Sequence, residues 1–305
     1  MDYNTLIDAE TWAFIQETES YYPPDTISAD VLRQREIYNH MCRTFFNGYP
    51  DGVMAREDRV ESIPLRIYEC GSHTVTLIYF HGGGFVVGGL DSHDDVCAEI
   101  CARAGVRVVS VDYRLCPEHP HPAAFQDARE AAQYVALTWP GLQLIAGDSA
   151  GGNLAAAVAQ TSRGSLQFAG QVLIYPGLGG DMTRGSYLDH AQAPMLTLDD
   201  LKFYEAMRCE GPKPPNDPTA APLLATDFAG LPPTVIFTAE CDLLADDGRN
   251  YRDAIQTAGG KAQWINETGL VHGYLRARHS VQRAQASFDR IVAATKMLAA
   301  GEWRD

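Results

Sequence analysis

The sequence has no long hydrophobic run. Among its 305 residues the densest apolar stretch is 75–80, which is strand-sized and far short of the roughly 18 residues of a membrane-spanning helix. The first four residues, Met-Asp-Tyr-Asn, have neither the basic start nor the apolar block of a signal peptide. Both features predict a cytoplasmic protein that does not bind membranes.

Basic residues are also few. Lys and Arg total 24 against 39 Asp and Glu, which gives a net charge of −15. Because a chain this acidic repels phosphate backbones and anionic lipid, we expect neither nucleic acid nor a membrane surface as a partner. The composition, 46% hydrophobic and 21% charged, is that of a globular protein and excludes a disordered or collagen-like chain.

Cysteines are scattered and do not form a zinc-type pair of pairs. There are seven, an odd number, which we interpret as reduced thiols: Cys42, Cys70, Cys97, Cys101, Cys116, Cys209 and Cys241. Cys97 and Cys101 are one helical turn apart, but two soft ligands without a second pair do not predict a metal site.

Short β-branched runs bounded by turn residues alternate with helical patterns. The predicted strands are 63–68, 75–80, 106–112, 142–146, 172–175, 235–238 and 262–267, and the predicted helices include 93–103, 123–137, 150–161 and 244–258. Several of these strands are apolar almost throughout, as in a mostly parallel sheet covered by helices on both faces. The fold class is therefore α/β.

Two regions lie outside this strand–helix rhythm. The first fifty residues are predicted to be helical with an interruption at 21–24, and about sixty residues between Tyr175 and Pro232 have no clear strand. The second region contains a predicted helix with Thr197 as its N-cap. We predict a single domain, 1–305, in which residues 1–48 and 180–225 form a cap over a core of 49–179 and 226–305.

A candidate nucleophile lies between a strand and a helix. Residues 147–152 (GDSAGG) follow the strand 142–146 and contain the G-x-S-x-G pattern of a nucleophile elbow, with Ser149 at its centre. Glycines at 147 and 151 allow a sharp turn that exposes the Ser149 hydroxyl. The N–H of Ala150, at the helix N-terminus, is then placed to stabilise an oxyanion.

A second glycine motif follows the strand 75–80. Residues 81–85 (HGGGF) stand where an α/β-hydrolase has its other oxyanion donors, which we assign to Gly83 and Gly84. His81 precedes the serine in the chain, so we interpret it as holding this loop rather than as the base. A phosphate-binding reading fails because the sequence has neither G-x-x-x-x-G-K-[ST] nor G-x-G-x-x-G followed by an acidic ribose partner.

A serine nucleophile requires a base and an orienting carboxylate, in the chain order Ser, acid, His. Of the histidines after Ser149, His272 alone lies between the last predicted strand and the last helix, where a loop can reach the serine. Asp242 follows the strand 235–238 and is the predicted carboxylate, with Glu240 as second choice. Asp246 and Asp247 are interpreted as first-turn acids that offset a helix dipole.

These motifs together resemble the hormone-sensitive-lipase-like family of α/β-hydrolase esterases, and within it the bacterial acetyl-esterase-type carboxylesterases. The matching residues are 81–85, 112–118, 147–152, Asp242 with 246–248, and 272–273. The resemblance implies an eight-stranded sheet, a helical cap, no cofactor and hydrolysis of short- to medium-chain acyl esters. It also implies structural roles for Arg114 and Glu118.

The expected partner is a small-molecule ester; the sequence leaves open whether the protein is a monomer or a dimer. We hypothesise that Met195, Leu201 and Phe203 restrict the acyl pocket to short chains, although they could equally pack on the core. Phe85 and Val271 are further candidate pocket residues. Two other functions remain open: an amide hydrolase such as a formamidase or deacetylase with the same triad, and a non-catalytic binding protein on this scaffold.

Overall fold

An eight-stranded sheet forms the centre of the protein in the computed structural model, which describes residues 1–23, 26, 29–211 and 214–303. The strands are β1 (Met54–Val60), β2 (Ile63–Glu69), β3 (Val75–Phe80), β4 (Arg107–Val111), β5 (Leu142–Asp148), β6 (Gly170–Ile174), β7 (Thr234–Cys241) and β8 (Ala262–Val271). Their order in the sheet is β1-β2-β4-β3-β5-β6-β7-β8. β2 is antiparallel to both of its neighbours and all other pairs are parallel, which confirms the predicted mostly parallel sheet.

The strand β1 is not among the strands predicted from the sequence. Its sequence, MAREDRV, is mostly charged, and its residues are exposed or half-buried. As an edge strand it has a partner on one side only, and charged side chains are tolerated there because they discourage pairing with other molecules. The hydrophobic signal by which the other strands are predicted is therefore missing.

Helices cover both faces of the sheet. They are α1 (Tyr3–Leu6), α2 (Ala9–Glu19), α3 (Val31–Thr44), α4 (Asp94–Ala104), α5 (Ala123–Thr138), α6 (Ala150–Thr161), α7 (Ser186–Asp189), α8 (Leu198–Cys209), α9 (Ala245–Thr257) and α10 (Gln282–Ala299). Short 3-10 turns lie at Leu90–His93, Pro222–Leu224 and Tyr274–His279. The predicted interruption at 21–24 falls partly outside the described residues. Within those residues, no helix combines the length and the apolar character needed to cross a membrane.

The core consists of two large apolar clusters, one on each face of the sheet. Leu77 and Tyr79 of β3 lie in one cluster with Phe288 of α10, and Ile78 and Phe80 lie in the other with Leu154 of α6. Because alternate side chains of a strand point to opposite faces, a strand covered on both sides must be apolar throughout.

The long segment between β6 and β7 places α8 beside the HGGGF loop. Thr197 caps α8: its hydroxyl accepts from the Asp200 N–H at 3.2 Å, and the Asp200 carboxylate accepts from the Thr197 N–H at 2.9 Å. A β-carbon on Gly84 would come within 2.5 Å of the Tyr204 ring of α8. This close packing sets α8 over the carboxyl ends of the central strands.

Candidate active site

Ser149 lies in a sharp turn between β5 and α6. Its φ of 54° and ψ of −116° are unusual for a residue with a side chain and mark backbone strain, a feature that clusters at functional sites. A β-carbon on Gly151 would lie 1.9 Å from the carbonyl oxygen of Phe80, so the first turn of α6 approaches β3 closely enough to require glycine there.

Ser149, His272 and Asp242 form a continuous line of hydrogen bonds. The Oγ of Ser149 lies 2.9 Å from Nε2 of His272, and Nδ1 of His272 lies 2.7 Å from Oδ2 of Asp242. Asp242 is 1% exposed, and its other carboxylate oxygen accepts from the Leu244 N–H at 2.9 Å. An ionised Asp242 favours the tautomer with a proton on Nδ1, which leaves Nε2 free to accept from the serine.

The sheet brings this base and this acid together. β7 and β8 are parallel neighbours, and their last residues, Cys241 and Val271, are paired in register. The next residue of each chain segment, Asp242 and His272, therefore emerges at the same edge of the sheet. Ser149 follows β5, which is two positions from β7 and three from β8 in the sheet, and its hydroxyl lies within hydrogen-bond distance of His272.

The other carboxylates near the end of β7 have different partners. Glu240 accepts from the Gly269 N–H at 2.7 Å, and Asp246 accepts from the Ser186 N–H at 3.0 Å. Asp247 is buried and accepts from the N–H groups of Leu178 and Gly179 and from a tyrosine hydroxyl. Asp246 and Asp247 thus do more than offset the dipole of α9, because they also fix the segment that follows β6.

The HGGGF loop has free N–H groups and lines the same cavity as the serine. Gly83 and Gly84 have φ values of 127° and 60°, which favour glycine, and neither N–H has a hydrogen-bond acceptor in the described part of the chain. The N–H of Gly82 donates instead to Asp148 at 3.0 Å. Ala150 begins α6, so its N–H has no partner within the helix.

Asp148 holds this loop in place through a hydrogen bond from the Gly82 N–H. No role was predicted for Asp148 from the sequence. It is 2% exposed and accepts from the hydroxyl of Tyr79 at 2.8 Å, from Gly82, and from Nε2 of His93 at 3.1 Å. Burial alone would raise the pKa of Asp148, but the charge of His93 and these hydrogen bonds hold that pKa below its usual range. The available signal in the sequence was an acidic residue at the end of a mostly apolar strand.

The remaining histidines of interest have structural partners. His81 is fully buried, stacks on Tyr113 with ring centroids 4.3 Å apart, and lies 2.8 Å from the carbonyl oxygen of Gly82 through Nδ1. This agrees with its interpretation as a loop-holding residue. His190 lies 3.1 Å from the Tyr3 hydroxyl, and His279 pairs with Glu99.

Arg114 and Glu118 are not paired with each other. Arg114 binds Asp127 at 2.7 Å, whereas Glu118 accepts two hydrogen bonds from Arg35 of α3 at 2.8 and 2.7 Å. Arg35 also donates to the carbonyl oxygens of Val86 and Cys116. Glu118 therefore connects the N-terminal helices to the loops of the core.

A cavity of about 620 Å³ opens onto Ser149 and His272. It is lined by segments from the N-terminus, the HGGGF loop and the α7–α8 region, and of the predicted pocket residues Phe85, Met195, Leu201 and Phe203 contribute to its wall. Val271 does not: it is 0% exposed and packs in the core at the end of β8. Two arginines that were not predicted from the sequence, Arg208 and Arg276, also line the cavity.

One group of potential metal ligands occurs among the described residues. Oxygen and nitrogen atoms of Asp95, Glu99 and His279 lie within 4.8 Å of one another. The guanidinium of Arg278, which is 2% exposed, contacts Asp95 at 2.6 Å and Glu99 at 2.8 Å. An arginine cation thus already balances these carboxylates.

Comparisons with known proteins agree on the type of fold and on the type of relative. A family model described as the alpha/beta hydrolase fold matches residues 77–276. The carboxylesterase NlhH of Mycobacterium tuberculosis is 37% identical over 254 residues, covering 78% of this chain and 79% of that protein. An ethyl acetate hydrolase of Pseudomonas putida is 30% identical over 247 residues, covering 76% of this chain and 78% of that protein. The solved structure of a hyperthermophilic esterase from Pyrobaculum calidifontis has a TM-score of 0.87 at 31% identity and covers 96% of this chain and 99% of its own.

Proposed function

This chain belongs to the alpha/beta hydrolase fold family and is a carboxylic ester hydrolase, and we propose that it acts through Ser149, His272 and Asp242 with an acyl-enzyme intermediate. The observation that carries the proposal is the line of hydrogen bonds from Ser149 through His272 to Asp242, at 2.9 and 2.7 Å. Nucleophile, base and orienting carboxylate are the three roles that this reaction needs.

In the first half of the reaction Ser149 attacks the ester carbonyl. As its Oγ bonds to the carbonyl carbon, its proton passes to Nε2 of His272, and Asp242 stabilises the resulting imidazolium. The negative charge that develops on the carbonyl oxygen is stabilised by the N–H groups of Gly83, Gly84 and Ala150. When the tetrahedral intermediate collapses, His272 returns its proton to the leaving alcohol.

In the second half water replaces the alcohol. His272 takes a proton from water, the hydroxide attacks the acyl-enzyme, and the same three N–H groups receive the second oxyanion. His272 then protonates Ser149 as the acid product departs. The substrates proposed are short- to medium-chain acyl esters, and the lining of the cavity by Phe85, Leu201 and Phe203 supports an acyl group of apolar character.

The test is the activity of Ser149→Ala on p-nitrophenyl acetate. We expect a decrease in turnover of about 10⁴-fold or more, because nucleophile loss has this effect in other serine hydrolases, while the circular dichroism spectrum stays that of the parent. Ser280→Ala, which alters an exposed serine outside the cavity, is the matched control and should keep full activity.

Two results would count against the proposal. Retention of most activity by Ser149→Ala would remove the serine from the reaction. Absence of turnover on every ester by well-folded parent protein would favour amide hydrolysis, which matched amides of the same acyl group would then test.

A further inference from the structure

Arg276 brings a positive charge into the cavity that holds Ser149. It lies four residues after His272, in the 3-10 turn Tyr274–His279, and its side chain lines the cavity wall. Its Nε donates to Sγ of Cys42 at 3.3 Å, and Nη2 donates to the hydroxyl of Tyr38. Both partners are on α3, and no carboxylate of the described residues forms an ion pair with this guanidinium.

The second terminal nitrogen of Arg276 is available from the cavity. Nη1 has no hydrogen-bond acceptor among the residues described. It is also absent from the fully buried polar atoms without a partner, so it is accessible to a ligand. A β-carbon built on Gly273 would lie 3.7 Å from Nη1, so this nitrogen is close to the residue that follows His272. A guanidinium that keeps its charge, with N–H groups unused beside the base, is suited to bind an anion.

The other arginine of the cavity differs from Arg276. The guanidinium of Arg208 lies over the ring of Phe85, 3.6 Å from its centroid, and donates to the carbonyl oxygen of Ala220 and to Oδ1 of Asn153. Arg208 is 7% exposed and ties α8 to the floor of the cavity. Its contacts account for its position without a ligand.

Among the described residues, no carboxylate around the cavity forms an ion pair with Arg276, although the positive charge of Arg276 contributes to lowering the pKa of Asp148. Asp148 is held by Tyr79, Gly82 and His93, and Asp200 by Thr197. Of the others, Asp199 pairs with Lys202, and Glu19 is exposed. A cation that is largely removed from water is costly without an anion, so a ligand that supplies one gains affinity.

We propose that Arg276 binds a carboxylate on the alcohol part of the substrate, so that this protein hydrolyses acyl esters of hydroxy acids. The inference rests on the proposed function, because the role of His272 as the base decides whether the substrate's carboxylate lies on the alcohol part or on the acyl part of the ester. His272 must protonate the leaving oxygen, so the alcohol departs on the side of His272, and Nη1 of Arg276 lies close to Gly273, the residue that follows His272. Hydrolysis then releases the acyl group as a carboxylic acid and the alcohol as a hydroxy acid.

The experiment compares an anionic and a neutral leaving alcohol with the same acetyl group. The probes are 3- and 4-acetoxybenzoate and the corresponding acetoxybenzamides, and the readout is the ratio of kcat/KM for the benzoate to that for the benzamide. In Arg276→Met we expect this ratio to fall about 10- to 100-fold for at least one isomer, which is the value of a hydrogen bond to a charged group. Arg276→Lys, which keeps the charge, should restore most of the ratio.

The ratio of kcat/KM for the two esters separates the binding of the carboxylate by Arg276 from the packing of Arg276 against α3. Arg276 also holds Tyr38 and Cys42, and any effect of Arg276→Met on the position of α3 acts on both esters and cancels. A second pair of probes, p-nitrophenyl hydrogen adipate and p-nitrophenyl hexanoate, carries the charge difference on the acyl side. Their ratio should be the same in the parent and in Arg276→Met.

The outcomes distinguish the two proposals. Hydrolysis of all esters with a benzoate-to-benzamide ratio that Arg276→Met does not change would overturn the role of Arg276 and leave the esterase proposal standing. A loss confined to the adipate ester would overturn the placement of the carboxylate on the alcohol side. No hydrolysis of any ester by the folded parent protein would overturn the proposed function itself.

Discussion

At the scale of single residues, burial decides the charge of His81. Its imidazole lies beneath the HGGGF loop, fully buried, with Nδ1 against the carbonyl oxygen of Gly82. Burial, together with the smaller effect of the nearby positive charge of His93, lowers the pKa of His81 from 6.5 to about 4. The folded protein therefore keeps this imidazole neutral over a pH range in which the unfolded chain protonates it.

Because the pKa of His81 differs between the folded and the unfolded protein, we expect the stability to depend on pH, and His81→Asn should remove this dependence. Between about pH 6.5 and pH 4 the unfolded state binds a proton that the folded state does not, so acidification favours unfolding. From pH 7 to pH 5 we expect the stability advantage of the parent over His81→Asn to shrink by about 2 kcal/mol. Guanidinium unfolding of both proteins at the two pH values measures it. An advantage that stays constant between pH 7 and pH 5 would show that His81 titrates normally in the folded protein.

At the scale of elements, the approach of α6 to β3 overrides helix propensity. Gly151 is the second residue of α6, where alanine would ordinarily stabilise a helix by about 1 kcal/mol. Its β-carbon would lie 1.9 Å from the carbonyl oxygen of Phe80 and 2.7 Å from that of His81, and both are backbone atoms. Neither oxygen can move without displacing the end of β3.

Gly151→Ala should therefore destabilise the protein although it improves helix propensity. We expect a loss of about 1–3 kcal/mol in the free energy of unfolding, the usual cost of overpacking, measured by urea denaturation. Gly177→Ala is the matched control, because its β-carbon would meet Leu244 at 3.6 Å, an ordinary contact, and should change stability little. An increase in stability in Gly151→Ala would mean that α6 can shift away from β3 at low cost.

At the scale of the whole molecule, the cavity lies between segments that are far apart in the sequence. Tyr38 and Met41 of α3, Phe85 of the HGGGF loop, and Leu201 and Phe203 of α8 all line it. Arg35 holds α3 to the core loops through Glu118 and two carbonyl oxygens. The size of the acyl site thus depends on how α3 and α8 are placed over the sheet.

The placement of α8 predicts a preference for short acyl chains. Turnover of p-nitrophenyl esters should decrease from the acetyl to the dodecanoyl ester, and Phe203→Ala should shift the optimum toward longer chains because it removes a large side chain from the wall. Leu137→Ala, which alters an 83% exposed residue outside the cavity, should leave the profile unchanged. Comparable turnover of the acetyl and dodecanoyl esters by the parent protein would contradict the prediction.

Much of the fold could be predicted because its signals are local. The strand β3 is buried along its whole length, Thr197 has its capping partner three residues away, and α6 begins within the glycine pattern, directly after Ser149. The edge strand β1 could not be predicted in this way, since solvent on its open side removes the need for apolar residues.

Local sequence patterns were sufficient to identify the residue types available for the chemistry. The patterns around Ser149 and His272 and the order of the chain were enough to nominate a nucleophile and a base, because a nucleophile elbow is a local turn. The same reasoning nominated Val271 for the pocket, yet strand β8 ends with that side chain in the core.

The contacts between residues that are distant in the sequence follow from the packing of the folded chain. The in-register ends of β7 and β8 bring Asp242 to His272 rather than Glu240, and Glu118 binds Arg35 rather than Arg114. Arg276 likewise lies in the cavity because its turn packs against α3, where its guanidinium donates to Cys42 and Tyr38. Such partners follow from strand register and helix packing, which are set by contacts across the whole chain and leave no trace in the spacing of residues along it.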